Sequence, residues 1–317
     1  MSMYFLGVDG GQSSTTAMVG DELGHVIGYG RGGPCNHVKS GDGRKKFLGA
    51  MDACLGAALA EAGLDGATVQ YRAACLGFSG GPADKEALLH EMLRTGEMLV
   101  THDGLIALSG ATAGAPGIIT IAGTGQFCFG RNAAGVTARA GGWGFAFGDE
   151  GGGYDLTRQA LRAALRMEEG WGPETSLRAR LLDATGAASA NDLLHRFYTD
   201  EYSRPRIASF SKLVDEAAQE GDAVAQELLQ QAARQLAMYT AAVRQRLFTP
   251  GDDIAVAYIG GVFRSDLLRE RFRALVELED GCHVGPPVYG PAAGALLEAY
   301  RMAGLRVELR NVPEQEK

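Results

Sequence analysis

Cysteine is scarce in this chain. The five residues, Cys35, Cys54, Cys75, Cys128 and Cys282, are odd in number and show no CxxC spacing. That excludes a disulfide-stapled secreted scaffold and reads as reduced thiols in a cytoplasmic protein. The six histidines form no HxxxH pair, so a structural zinc site is not expected. Basic residues are also outnumbered, with 30 Lys and Arg against 38 Asp and Glu, a net charge of −8 and a pI near 5.3. A basic stripe for nucleic acid or anionic lipid is therefore not expected, and a bound polyanion must be held by backbone amides and a metal. No apolar run approaches the roughly 20 residues of a membrane span. No basic segment followed by an apolar stretch and a cleavage site opens the chain.

What is present reads as a soluble globular protein. Hydrophobic residues make up 46% and charged residues 21% of 317 positions, enough for two domains with separate cores. The 46 glycines are about twice the average share. They fall in short clusters between apolar runs, which marks turns and places of close backbone approach.

The first such cluster is the most informative. The apolar run Phe5-Leu6-Gly7-Val8 leads into Asp9-Gly10-Gly11-Gln12-Ser13-Ser14-Thr15. Gly10 and Gly11 let backbone N–H groups approach an anion, and Ser13, Ser14 and Thr15 supply hydroxyl donors. Asp9 would repel phosphates unless a cation lay between them, which points to a magnesium–nucleotide complex with Mg²⁺ held mostly through water. Taken alone, the segment is equally well read as a hairpin turn between two strands.

Periodicity gives a β-β-β-α-β-α-β-α order for the first part of the chain. Strands are expected at Tyr4–Val8, Thr15–Val19, Gly24–Gly30, Ala73–Phe78 and Met98–Thr101. Helices are expected over 44–62, Lys85–Leu93 and Leu105–Ala113. The order then restarts with Gly117–Ala122, which ends in a second glycine turn, Gly123-Thr124-Gly125-Gln126, and continues as strands Phe127–Gly130 and Gly135–Ala140. A helical region from about 151 to 248 follows, then strand Ile254–Ile259 ending in Gly260-Gly261, a helix over Leu267–Leu275, strand Cys282–Val284 and a last helix, Ala292–Met302. The polar stretch Arg306–Lys317 is expected to fray. Two halves that each open on a strand and a glycine turn suggest a duplicated domain closing on a nucleotide cleft.

Further candidates complete the set. Asp103 follows an apparent strand, where ligands of α/β sheets bind, and could accept a hydroxyl proton during attack on a γ-phosphate; it also suits a helix N-cap. Gly260 and Gly261 could leave room for an adenosine, although taken alone close strand–helix packing explains them better. Gly141-Gly142-Trp143-Gly144-Phe145-Ala146-Phe147-Gly148-Asp149-Glu150-Gly151 offers aromatic faces and carboxylates to a sugar, or equally core aromatics and a helix cap. Asn36-His37 could add an amide to the same ligand.

Together, Gly7 to Ser13, Asn36-His37, Asp103, Gly123-Thr124-Gly125, Gly141 to Gly144, Gly148 to Gly151 and Gly260-Gly261 resemble the BadF/BadG/BcrA/BcrD ATPase family, and within it the N-acetylglucosamine kinase branch, over about residues 4–300. The resemblance implies an α/β, duplicated ribonuclease H-like fold of the actin/hexokinase type, with two lobes and a central nucleotide cleft. The lobes would be 1–114 and 115–317, with a last helix at 290–303 able to pack back on the first. It implies ATP and Mg²⁺ as cofactors. Asp9, Gly10, Gly11, Gln12, Ser13, Ser14 and Thr15 would hold phosphates, and Asp9 the metal. Gly123, Thr124 and Gly125 would form a second phosphate loop, with Gly260 and Gly261 beside the adenosine. Asn36, Gly142, Trp143 and Asp149 would line a sugar pocket, and Asp103 would be the base. The implied activity is phosphorylation of an amino sugar, N-acetylglucosamine to its 6-phosphate first, with glucosamine or N-acetylmuramic acid as alternatives. An ATPase switch acting on a partner protein is the competing reading. The iron–sulfur activators of this family need paired thiolates, for which the scattered cysteines offer no obvious pair. Neither nucleic acid nor membrane is implied as a partner, and a homodimer is compatible with the family.

Overall fold

The computed structural model describes residues 3–35, 41–80 and 84–317. They form two compact units, Met1–Ala115 with Pro287–Lys317, and Pro116–Pro286.

The first unit is built on a five-stranded sheet of order β3-β2-β1-β4-β5: β1 Tyr4–Gly10, β2 Thr15–Gly20, β3 Val26–Gly32, β4 Tyr71–Phe78 and β5 Thr95–His102. β1 is central, antiparallel to β2 and parallel to β4. Alternation along β1 sends side chains to two cores. Leu6 and Val8 join Phe47 and Met51 of α1 (Gly41–Ala62) and Leu89 of α2 (Glu86–Met92). Phe5 meets Ile106 of α3 (Asp103–Ala111) and Leu296 and Tyr300 of α11 (Pro291–Met302), its ring 4.3 Å from that of Tyr300. Both faces are thus covered, as parallel strands require.

The strands run further than their apolar stretches predict. β1 reaches Gly10, so Asp9 is a strand residue opposite Thr16 on β2 and Gly77 on β4. The segment after α11 is ordered, contrary to the frayed end that its polarity suggested. Leu309 and Val312 are buried, His25 bridges to Arg310, and the Val26 N–H donates to the Arg310 carbonyl at 2.9 Å. The Glu316 side chain accepts from the N–H groups of Ala292 and Ala293 at 3.1 and 3.3 Å, satisfying two open donors at the start of α11.

The second unit repeats the plan. Its sheet, read from β8 to β10, is ordered β8-β7-β6-β9-β10, with β6 Gly117–Ala122, β7 Gln126–Arg131, β8 Thr137–Gly141, β9 Ile254–Ile259 and β10 Cys282–Gly285. β6 pairs antiparallel with β7 and parallel with β9, as β1 does with β2 and β4. The long helical region between β8 and β9 is six helices: α4 Gly153–Glu168, α5 Leu177–Thr185, α6 Ala190–Phe197, α7 Arg204–Ser209, α8 Ser211–Gln219 and α9 Ala223–Leu247. Asp222 starts α9 as its N-cap, accepting from Val224 and Ala225. Ala233, Leu236 and Val243 of α9 enter the core with Ile118 of β6, and Thr240 shares a 2.7 Å hydroxyl contact with Thr120 of β6. α10 (Asp266–Val276) adds Phe272 to the same core.

Candidate functional site

In the first unit, the ends of three neighbouring strands bring the candidate residues together. The turn after β1 is closed by the Gly11 N–H bonded to the Ser14 carbonyl at 2.9 Å and by the Cys35 N–H bonded to the Gly11 carbonyl at 3.0 Å. Among the described residues, the N–H groups of Gln12 and Ser13 and the hydroxyls of Ser13 and Ser14 have no hydrogen-bond partner. A turn with unused donors is what an anion requires. Thr15 departs from expectation. It is fully buried, and its hydroxyl donates to the Gly33 carbonyl at 2.7 Å and contacts the Cys35 sulfur at 2.8 Å. It braces the turn from inside instead of offering its hydroxyl to a phosphate. Asn36 and His37 lie outside the described residues.

Asp103 is exposed at the start of α3, directly after β5. The N-cap position belongs to His102, and Asp103 Oδ2 accepts from the Ser79 hydroxyl at 2.8 Å. Asp9 is partly buried, and its pKa is raised from 3.8 to about 7, first by burial and then by the charges of Glu316 and Asp103. Burial also raises the pKa of Glu316, which is only 7% exposed. A carboxylate crowded by two others is a place that a cation would relieve, so the chemistry around Asp9 fits Mg²⁺. Asp9 would be a single protein ligand, and among the described residues no cluster of three or more His, Cys, Asp or Glu could form a protein cage. That suits an ion that keeps most of its waters.

In the second unit, Gly123-Thr124-Gly125-Gln126 links β6 to β7. Its carbonyls anchor the start of α4, with the Gly153 N–H bonded to Gly123 at 2.8 Å and the Tyr154 N–H to Thr124 at 3.0 Å. A β-carbon on Gly125 would lie 2.5 Å from the Asp149 carboxylate, so a larger residue there would displace that side chain. Asp149 comes from the aromatic loop expected to meet a sugar. It is 4% exposed, sits in the left-handed region at φ 65°, and reaches the Gln126 N–H at 3.4 Å and the Arg204 guanidinium at 3.5 Å. Asp149 therefore lies against the second glycine turn, while the aromatics of its loop face outward. Trp143 is 66% and Phe147 88% exposed. The Gly142 N–H donates to the Gln126 carbonyl at 3.1 Å, tying the loop to the same turn. Arg139 lies over Trp143 at 4.9 Å and Arg204 over Phe145 at 4.6 Å.

A cavity of about 400 Å³ joins motifs far apart in sequence: Gly123 and Thr124 line it together with Gly261, Val262, Pro205, Lys212 and Arg264. That volume is in the range that holds a small ligand such as a nucleoside. Gly260 has a different task. Its φ is 115°, and a β-carbon there would lie 2.3 Å from the Ala122 carbonyl, so it lets β9 pass closely over the end of β6. The chain then makes a 3₁₀ turn, Gly261–Arg264, and Ser265, the N-cap of α10, accepts from the Leu268 N–H at 3.4 Å.

Sequence reasoning missed Glu316, Ser79, Arg204, Lys212 and Arg264. Ser79 had a signal, since it follows an apolar strand parallel to the one before Asp103. The others are brought in by tertiary packing alone. All five cysteines are buried free thiols.

Two sheets of equal topology, each opening on a glycine turn with spare donors or an adjoining cavity, define the duplicated ribonuclease H-like fold of actin-type ATPases. The chain belongs to the BadF/BadG/BcrA/BcrD ATPase family, whose profile matches residues 6–299. It is 35% identical to an N-acetylmuramic acid/N-acetylglucosamine kinase of Clostridium acetobutylicum, over 65% of this chain and 69% of that protein. It is 30% identical to an N-acetyl-D-glucosamine kinase of Dictyostelium discoideum, over 93% and 97%. The solved structure of a candidate N-acetylglucosamine kinase from Chromobacterium violaceum is 27% identical, covers 93% of this chain and 98% of its own, and has a TM-score of 0.70.

Proposed function

We propose that the protein is an ATP-dependent sugar kinase that phosphorylates an amino sugar, N-acetylglucosamine at its 6-hydroxyl first among the candidates. The observation that carries this reading is Asp103: a free-standing carboxylate at the end of a parallel strand, held by Ser79 and in the electrostatic range of the Asp9 turn. Names of similar proteins at 30–35% identity support the substrate class.

In this reading, Asp103 takes the proton of the attacking sugar hydroxyl, so the nucleophile gains charge as the bond forms. Gly10 and Gly11 shape the turn, the amides of Gln12 and Ser13 and the hydroxyls of Ser13 and Ser14 hold the β- and γ-phosphates, and Thr15 keeps the segment in shape. Asp9 would hold Mg²⁺, which when bound would supply charge neutralisation on the phosphates. Gly123, Thr124 and Gly125 hold a further part of the phosphate chain, and Gly261 borders the adenosine. Gly142, Trp143 and Asp149 serve the sugar, and Asp149 also ties their loop to the second glycine turn through the Gln126 N–H. Positioning and electrostatics supply most of the rate.

A second substrate is favoured by one observation. Among the described residues, Arg139 has no carboxylate partner, and with Arg204 it flanks the exposed aromatic loop. Two guanidinium groups there suit the lactyl carboxylate of N-acetylmuramic acid. The test is product identification by phosphorus–proton NMR after incubation with MgATP and each sugar. A 6-phosphate is the expected product; a 1-phosphate, or inorganic phosphate alone, contradicts the reading.

A further inference from the structure

We propose that Ser79 is a positioning residue that aims the Asp103 carboxylate and couples it to the first phosphate turn; the proposal rests on the kinase reading above. The register carries the idea. Phe78, the last residue of β4, pairs with His102 on β5 and with Gly10 on β1, so Ser79 leaves the sheet between Asp103 and the turn. It makes one bond to each side. Its hydroxyl donates to Asp103 Oδ2 at 2.8 Å, and its backbone N–H donates to the Gly10 carbonyl at 3.1 Å.

The hydroxyl has a specific task here. An Asp in the first turn of a helix has local alternatives, because its side chain can fold back on the open N–H groups of its own helix. A carboxylate bonded in that way would give the helix an acceptor and deny one to the substrate. The Ser79 hydroxyl competes for Oδ2 and fixes the plane of the carboxylate, leaving Oδ1 to take the proton. The backbone bond to Gly10 means that the residue aiming the base is anchored to the strand that carries the phosphate turn. Base and phosphate turn are therefore set by one residue.

The test is steady-state kinetics of full-length Ser79→Ala and Ser79→Thr against MgATP and the best amino sugar, with melting curves for both. In Ser79→Ala, kcat is expected to fall about 10- to 100-fold, the loss of one charge-assisted hydrogen bond. KM for ATP and for the sugar should stay within about twofold, because no ground-state contact is removed. Ser79→Thr keeps the hydroxyl and should recover most of kcat. Unchanged kcat in Ser79→Ala overturns the proposal. So does a loss confined to the sugar KM, which would make Ser79 a sugar ligand, and so does an equal loss in both variants, which would trace the effect to packing. A wild-type protein that phosphorylates no amino sugar would sink the kinase reading itself and take this proposal with it. An active wild type with an indifferent Ser79→Ala sinks the proposal alone.

Discussion

Replacing Asp9 with Asn should stabilise the metal-free protein, and increasingly so as pH rises. Asp9 is held in the folded state at a pKa of about 7 against 3.8 in the unfolded chain. Below about pH 4 both states carry the proton, and the Asp and Asn proteins should differ little. Between the two values the unfolded chain ionises and the folded one does not, so wild-type stability falls until the folded carboxyl also ionises. A shift of about 3 units at about 1.4 kcal/mol each sets an upper bound of about 4 kcal/mol. The carboxylate keeps some contact with solvent, which brings the expected effect to about 2 kcal/mol. The assay is urea unfolding of both proteins in chelator at about pH 4.5, 6 and 7.5. The stability difference should grow with pH and level off above about 7, and Mg²⁺ added at the highest pH should recover stability in the wild type only. A difference that stays flat with pH would refute the reasoning, because Asp9 would then not be buried among like charges.

Two other substitutions separate chemistry from architecture. Asp103→Asn should lower phosphoryl transfer by at least about 100-fold while ATP binding, followed by calorimetry, stays nearly unchanged; equal loss of nucleotide binding would make Asp103 structural. Glu316→Ala should cost about 1 kcal/mol of stability through the lost cap of α11. It should also reduce the fall of wild-type stability between about pH 4 and 7, because one charge that raises the Asp9 pKa is removed. Urea titrations at the same three pH values would show both effects.

Much of this was legible from the order of apolar runs and glycine turns. The strands after which Asp103, Gly123 and Gly260 occur could be found because ligand sites of α/β sheets lie at strand ends. Thr15 could not be separated from Ser13 and Ser14 by type. Its inward direction follows from its pairing with Gly10 across β1 and β2, a matter of register. Glu316 was hidden for a different reason. Leu309 and Val312 are the buried apolar residues of a polar stretch, and the bonds that order it run to Gly24, Val26, Gly290 and Ala292. No local period reports such contacts. Asp149 reads as a sugar ligand from the aromatics around it; its packing against Gly125, which comes from a turn 24 residues earlier, has no local signal.

The central claim is tested most directly by coupled ADP release with MgATP against N-acetylglucosamine, N-acetylmuramic acid, glucosamine, N-acetylmannosamine, glucose and no sugar. Strong stimulation by one amino sugar, absent with glucose, is the predicted result. Hydrolysis that no sugar changes would contradict it and would identify an ATPase whose closure serves a partner protein.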